Sequence, residues 1–187
     1  SPVPFYNQDL KDKTIEQVVI PTIEGFAKDG LNYRGFVFFG LINVQGEPKV
    51  IEYNVRMGDP ETEVVLPRSK NDLVDLFEAT FNQELDKTSI EIDKRAATTV
   101  MLVSGGYPEA YEKGKLILGI ENIKDSIVFH AGTTIKNNKT VTNGGRVIAI
   151  TSMDLDYKKA LKKTYQNIEK LNFGGMNYRK DIGYDLT

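Results

Sequence analysis

Apolar residues in the first part of the chain recur with a helical period. Between Asp12 and Lys28 they fall on one stripe, at Ile15, Val18, Val19, Ile23 and Phe26. This spacing predicts an amphipathic helix that ends at Asp29-Gly30. Pro21 lies inside the stripe and has no N–H to donate, so we expect a kink or a lost backbone hydrogen bond near Gln17.

The pattern then changes to runs rich in Phe, Val and Ile. Residues 34–43 and 48–56 are separated by Gln45-Gly46-Glu47, which predicts a β-hairpin. Further on, Ser69 with Asp72 three residues later predicts the start of a second amphipathic helix.

A polar stretch, residues 86–94, separates this part from a second half with many short strands. Strands are predicted at 99–103, 127–130 and 146–150, with turns at Asn137-Asn138 and Asn143-Gly144-Gly145. A last amphipathic helix is predicted over about 154–171. The fold class is therefore α+β, and we place a domain boundary between residues 93 and 94.

Composition excludes several classes of protein. Of the 187 residues, 40% are hydrophobic and 27% charged, which is typical of a globular chain. The net charge of -2 gives no basic surplus for a nucleic-acid partner. No apolar run approaches the roughly 20 residues that span a bilayer, so no membrane partner is expected. The absence of cysteine fits a reducing compartment, and we expect a cytoplasmic location.

The second strand of the hairpin carries the candidate chemistry. Alternate side chains share a face of a strand, so Glu52, Asn54 and Arg56 form one row, with Cα atoms roughly 6–7 Å apart, while Ile51, Tyr53 and Val55 form an apolar face. Carboxylate and amide oxygens are hard donors that suit Mg²⁺ or Mn²⁺. The next residue in the row, Arg56, could hold a phosphoryl group during transfer.

A plainer interpretation of the same letters stays open at this point. An exposed strand face with Glu, Asn and Arg is most often a solvated face with a weak ion pair. The loop Gly58-Asp59-Pro60-Glu61 would by itself be an ordinary turn.

The run Glu52-Tyr53-Asn54-Val55-Arg56-Met57-Gly58-Asp59-Pro60-Glu61-Thr62 closely resembles the signature of phosphoribosylamine–glycine ligases, also called glycinamide ribonucleotide synthetases, in the ATP-grasp superfamily. The resemblance continues in the family's order through Ser1-Pro2-Val3-Pro4, Gly105-Gly106-Tyr107-Pro108, Phe129-His130-Ala131-Gly132-Thr133, Val141-Thr142-Asn143-Gly144-Gly145-Arg146 and Arg179-Lys180-Asp181-Ile182-Gly183. It implies that residues 1–93 are the C-terminal part of an ATP-grasp domain, an antiparallel sheet with helices. Residues 94–187 would then be a small, strand-rich C-terminal lid domain with a terminal helix.

The resemblance also implies roles for individual residues. Glu52 and Asn54 would bind the Mg²⁺ or Mn²⁺ that bridges the phosphates of the substrate ATP. Arg56 would be catalytic and contact the acyl phosphate and its nucleophile. Asp59 and Glu61 of the loop would bind substrate, as would Arg146 of the lid domain, although Asn143-Gly144-Gly145-Arg146 is equally explained by a hairpin turn.

The implied reaction joins glycine to 5-phosphoribosylamine with ATP, through glycyl phosphate, and gives glycinamide ribonucleotide, ADP and phosphate in purine biosynthesis. The resemblance further implies an N-terminal part of the same enzyme, which would complete the ATP site. We therefore expect these 187 residues alone to be inactive. Alternatives are another ATP-grasp carboxylate–amine ligase and a non-catalytic module that kept the fold.

Two positions depart from the family pattern. Glu63 stands where the family usually has glutamine, which adds a negative charge near the expected site. The third acidic metal ligand of many superfamily members has no counterpart at Phe38-Phe39-Gly40, so it would come from Asp59, from Glu61 or from outside the chain. The single histidine, His130, is expected to be structural rather than a general base.

Overall fold

A computed structural model describes residues 1–186. It has five α-helices among these residues: α1 (Gln8–Thr14), α2 (Ile20–Lys28), α3 (Thr62–Val65), α4 (Leu73–Asn82) and α5 (Tyr157–Ile168). The strands are β1 (Phe38–Val44), β2 (Glu47–Asn54), β3 (Ala96–Val103), β4 (Ile127–His130), β5 (Thr133–Lys136), β6 (Lys139–Thr142) and β7 (Arg146–Asp154). The expected α+β class is confirmed.

The first helical segment is continuous but wider in its middle. Asn7 caps α1 by accepting a hydrogen bond from the N–H of Leu10 at 2.9 Å. A π-helical turn, Ile15–Val19, joins α1 to α2, and the N–H of Ile20 bonds to the carbonyl of Ile15, five residues back. The disturbance expected near Gln17 is thus confirmed. Proline has no N–H to donate, and the wider turn before Pro21 accommodates the missing hydrogen bond.

Strands β1 and β2 form an antiparallel hairpin whose register starts at Val44↔Glu47. Its two turn residues, Gln45 and Gly46, both have positive φ, 54° and 84°, as in the turns that match the twist of paired strands. The hairpin is thus confirmed with a turn one residue shorter than expected. Strand β2 also ends at Asn54, so the prediction that it extends to Arg56 was wrong.

Helix α4 begins one turn later than Ser69. The side chain of Asp72 caps it by accepting from the N–H of Val74 at 2.7 Å. The polar stretch beyond it is held by Arg68, whose guanidinium donates to the carbonyls of Asp93 at 3.2 Å and Arg95 at 2.9 Å. The domain boundary at residues 93 and 94 falls next to these contacts and stays a prediction.

The second half is built around a three-stranded antiparallel sheet with the order β3-β7-β4. Its central strand, β7, is buried continuously from 147 to 152, and α5 packs on β3 and β7. Strands β5 and β6 form a separate hairpin around Asn137 and Asn138, both at positive φ. The segment 143–145 joins β6 to β7, which lie in different sheets, so the interpretation of these residues as a hairpin turn was wrong.

Burial differs sharply between the two halves. Among the described residues, the buried apolar side chains before residue 96 are only Leu10, Val18 and Pro48. The same half carries large apolar side chains that are strongly exposed, including Ile23 at 61%, Phe77 at 50% and Phe81 at 71%. The first half is therefore an open layer with little core of its own. No helix within residues 1–186 combines the length and apolarity needed to cross a membrane.

Candidate metal and phosphate site

Glu52 and Asn54 lie side by side on one face of β2. The side-chain amide of Asn54 donates to Oε1 of Glu52 at 3.0 Å, and both groups are open to solvent. No other hydrogen bond of either side chain occurs within residues 1–186, so Oδ1 of Asn54 and Oε2 of Glu52 are left available. A divalent cation carried on nucleotide phosphates would meet two adjacent hard oxygen donors here, which is as many protein ligands as Mg²⁺ commonly takes.

The hairpin register places this pair. Asn54 lies opposite Phe38 and Glu52 opposite Gly40, and then the register shifts so that Leu41 faces Val50. Ile51 is the extra residue of a β-bulge. Because the bulge precedes both Glu52 and Asn54, it does not disturb the alternation that puts them on one face.

Arg56 lies beyond the end of β2, in a bend. Its guanidinium donates to the carbonyl of Met57 at 3.1 Å and is exposed. The expected row of three is therefore formed by only two residues of the strand, and Arg56 follows them on an exposed segment.

The loop after β2 contacts the second half through Arg146, the first residue of β7. Nη1 of Arg146 donates to the carbonyl oxygen of Asp59 at 3.0 Å and lies 3.2 Å from the Asp59 carboxylate. Two residues expected to bind substrate, 87 positions apart in sequence, are thus brought together. Both side chains are about half exposed, so the pair can exchange partners with a ligand at small cost.

Glu61 faces the same open cleft as Glu52. The cleft has a volume of about 390 Å³ and is also lined by Phe38 and Gly40. The Glu61 carboxylate lies against the α-carbon of Gly58, where any β-carbon would overlap it. Glycine at 58 therefore gives room for the Glu61 side chain at the edge of the cleft.

Glu63 is the least satisfied group near the site. Its Oε2 atom is buried and has no hydrogen-bond partner within residues 1–186. Burial raises the pKa of Glu63 above its ordinary value, and the charges of Asp59 and Glu61 raise it further, while its own backbone N–H and Arg146 act in the opposite direction. Glu63 therefore binds a proton more strongly than an ordinary glutamate does.

The glycine-rich segments of the second half have packing reasons to be glycine. A β-carbon on Gly132 would lie 2.7 Å from the α-carbon of Gly144, and one on Gly105 would lie 2.8 Å from the carbonyl oxygen of Gly175. His130 is exposed at the end of β4, and its Nδ1 lies 3.0 Å from Oγ1 of Thr133. These contacts give a packing reason for glycine at positions 105 and 132 and a structural contact for His130.

Within residues 1–186 no group of three or more His, Cys, Asp or Glu side chains is arranged to hold a metal ion. The Glu52–Asn54 pair would therefore depend on phosphate oxygens and water to complete the coordination of a cation. The place of Gly40 opposite Glu52 was not predicted from the sequence. Its position opposite Glu52 depends on the bulge, and no residue type in the hairpin signals that bulge.

Two family models match the chain. Residues 1–62 match the phosphoribosylglycinamide synthetase ATP-grasp (A) domain, and residues 97–185 match the C domain of the same synthetase. The chain belongs to the phosphoribosylglycinamide synthetase family. The resemblance found in the sequence is thereby confirmed.

Curated relatives agree with this assignment. The phosphoribosylamine–glycine ligase of Fusobacterium nucleatum is 38% identical over 98% of the chain, and that of Vibrio parahaemolyticus is 41% identical over the same share. A trifunctional purine biosynthetic protein of Gallus gallus is 42% identical over 98% of the chain, which covers 19% of that protein. The chain spans 44% of the length of the two bacterial ligases.

Solved structures show the same relationship. The chain superposes on phosphoribosylamine–glycine ligase from Thermotoga maritima with a TM-score of 0.85, at 37% identity, over 97% of this chain and 44% of that one. N5-carboxyaminoimidazole ribonucleotide synthetase from Thermotoga maritima matches with a TM-score of 0.56 at 18% identity, over 83% of this chain and 41% of that one. The second match reflects a shared fold.

Proposed function

We propose that this chain is part of an ATP-dependent ligase that joins glycine to 5-phosphoribosylamine in purine biosynthesis. The observation that carries the proposal is the Glu52–Asn54 pair on one strand face, in which Nδ2 of Asn54 lies 3.0 Å from Oε1 of Glu52. The family signature surrounds this pair, and the relatives that match nearly the whole chain are named for this ligase.

In this proposal Glu52 and Asn54 would hold Mg²⁺ or Mn²⁺, with phosphate oxygens of ATP supplying further ligands. When bound, the cation neutralises phosphate charge during transfer. Glycine's carboxylate oxygen attacks the γ-phosphorus, and the bond to ADP breaks. The amine nitrogen of phosphoribosylamine then attacks the carbonyl carbon of glycyl phosphate, phosphate leaves, and the nitrogen loses a proton to give the amide.

Arg56, two residues beyond the end of β2, would stabilise the negative charge of the phosphoryl group during its transfer. Asp59 and Glu61 would contact substrate from the loop, and Arg146 would offer its guanidinium from the second half once substrate competes with Asp59. The ranges matched by the two family models, 1–62 and 97–185, support two domains, in which residues 1–93 complete an ATP-grasp domain and residues 94–187 form the lid. The cytoplasmic location expected from the sequence belongs to the same proposal.

The ATP site needs further protein. The chain spans 44% of its ligase relatives, and its first half exposes apolar side chains such as Phe77 and Phe81 that a globular protein would cover. We therefore propose that the 187 residues alone do not turn over substrate and that an N-terminal part of the same enzyme is their partner.

The test uses the whole ligase polypeptide that contains these residues, compared with the 187-residue chain alone. Glu52→Gln and Asn54→Leu should each raise the Mg²⁺ or Mn²⁺ concentration needed for half-maximal nucleotide binding at least about tenfold, and phosphate release with glycine and phosphoribosylamine should fall. Glu24→Gln, an exposed carboxylate on α2, is the matched control.

Unchanged metal dependence in both variants would favour the non-catalytic module. Thermal stabilisation of the whole polypeptide by a small acid other than glycine would favour a different carboxylate–amine ligase. Turnover by the 187-residue chain alone would refute the need for a partner.

A further inference from the structure

Gly40 lies directly opposite Glu52 in the β1–β2 hairpin. A β-carbon on Gly40 would lie 2.7 Å from Cγ of Glu52, closer than two such carbon atoms approach in proteins. The Glu52 side chain therefore lies across the space that any other residue at position 40 would fill.

The contact is selective for the side chain. The same β-carbon would lie 3.5 Å and 3.6 Å from the backbone oxygen and nitrogen of Glu52, which is ordinary van der Waals contact. The backbone of Gly40 lies outside the left-handed region, so alanine fits its conformation without strain. An added methyl group would thus leave the strands in place and displace Cγ of Glu52.

Displacing Cγ changes the direction of the carboxylate. Cγ is bonded to a β-carbon that the strand holds in position, so it can move away only by rotation about χ1, to another staggered position. Such a rotation swings both carboxylate oxygens away from their present place, in which Oε1 accepts from Asn54 at 3.0 Å. The Glu52–Asn54 arrangement is therefore tied to the missing side chain at position 40.

We propose that Gly40 is a positioning residue, which keeps the Glu52 carboxylate beside Asn54 so that the two can share one divalent cation. This inference rests on the proposed function. The bulge at Ile51 is what brings Gly40 opposite Glu52.

Gly40→Ala should move the Asn54 side-chain amide resonance in an amide NMR spectrum of the 187-residue chain, because its hydrogen-bond acceptor moves. The melting temperature of the Gly40→Ala variant should equal or exceed that of the parent chain, since alanine restricts the unfolded chain more than glycine does. Gly25→Ala is the matched control. A β-carbon there meets no atom within 4 Å, and the Asn54 resonance should stay in place.

In the whole ligase polypeptide, Gly40→Ala should weaken Mn²⁺-ADP binding by calorimetry about tenfold, whereas Gly25→Ala should leave it unchanged. Because Gly40 acts through Glu52, its substitution should have no further effect in a Glu52→Ala background, where the Cγ atom that the new methyl meets is gone. The double variant also keeps the test valid if Gly40→Ala alone fails to fold.

The two proposals fail in different ways. If Glu52→Ala weakens Mn²⁺-ADP binding and Gly40→Ala matches Gly25→Ala, the positioning role is refuted and the metal site stands. If Gly40→Ala moves the Asn54 resonance but neither Gly40→Ala nor Glu52→Ala changes Mn²⁺-ADP binding, the metal site is refuted, and the role of Gly40 in metal binding is refuted with it. An effect of Gly40→Ala that persists fully in the Glu52→Ala background would also refute the inference.

Discussion

Replacing Asn167 by leucine should destabilise the second half of the chain by about 2–4 kcal/mol. Asn167 is 2% exposed on the inner face of α5. Its side-chain amide donates to the carbonyl of Lys124 at 2.9 Å and to Oγ of Ser126 at 2.7 Å, and its oxygen accepts from Lys170 at 2.7 Å. These bonds fasten α5 to the segment that leads into β4.

The leucine side chain has the same number and branching of heavy atoms as that of asparagine, so the cost is one of lost polar partners rather than of a cavity. The Lys124 carbonyl would be left without its donor in a partly buried place, which costs about 1–3 kcal/mol, and the bond to Ser126 adds about 1 kcal/mol. Ser126 keeps a second partner, Oγ of Ser152 at 2.7 Å, which limits the loss at that end.

The measurement is urea denaturation of the 187-residue chain, followed by far-ultraviolet circular dichroism and by the fluorescence of its nine tyrosines, because the chain has no tryptophan. Lys170→Met is the matched control: it removes the same network's exposed ammonium group and should cost less than about 1 kcal/mol. A leucine variant within about 0.5 kcal/mol of the parent would show that the buried bonds add nothing net, and the reasoning would be wrong.

Two further predictions concern the site. Glu63→Gln should stabilise the chain at pH 7 and have little effect at pH 4, measured as the denaturation midpoint at both pH values. The pKa of Glu63 is raised in the folded chain. The contribution of Glu63 to stability is therefore full below its ordinary pKa of 4.5 and is lost as the pH rises through the raised pKa. An equal difference at both pH values would contradict this. Arg146→Lys should change stability by less than about 1 kcal/mol, since its pair with Asp59 is exposed, but should raise the KM for phosphoribosylamine in the whole ligase; an unchanged KM would leave Arg146 a structural contact only.

The local part of the site could be predicted from the sequence because it depends on a period of two. Glu52 and Asn54 are two residues apart in one strand, so they share a face whatever the strand pairs with. The partner across the hairpin could not be predicted. A regular two-residue turn that pairs Val44 with Glu47 would set Gly40 opposite Ile51, and the bulge sets it opposite Glu52 instead.

Non-local contacts explain the other differences. The pairing of Arg146 with Asp59 joins residues 87 positions apart, and no local pattern contains that information. The segment Asn143-Gly144-Gly145 has the letters of a hairpin turn, but β6 and β7 belong to different sheets. Residue preferences describe how a chain turns at such a point, and only tertiary packing decides which strand the next one joins.

The distribution of burial bears on how the site attains its geometry. Metal ligands bind tightly when the packing around them fixes their positions, yet Glu52 and Asn54 belong to the half whose described residues bury few apolar side chains. The second half has the continuous core, and Arg146 begins its most buried strand, β7. The exposed contact between Arg146 and Asp59 links the loop that follows β2 to that core. Ile51 is 67% exposed and Val55 is 69% exposed, so these two side chains are not covered within residues 1–186. The precision of the Glu52–Asn54 pair should therefore depend on the protein that covers Ile51 and Val55, so metal affinity and the burial of these two side chains should appear together when the proposed N-terminal part is added.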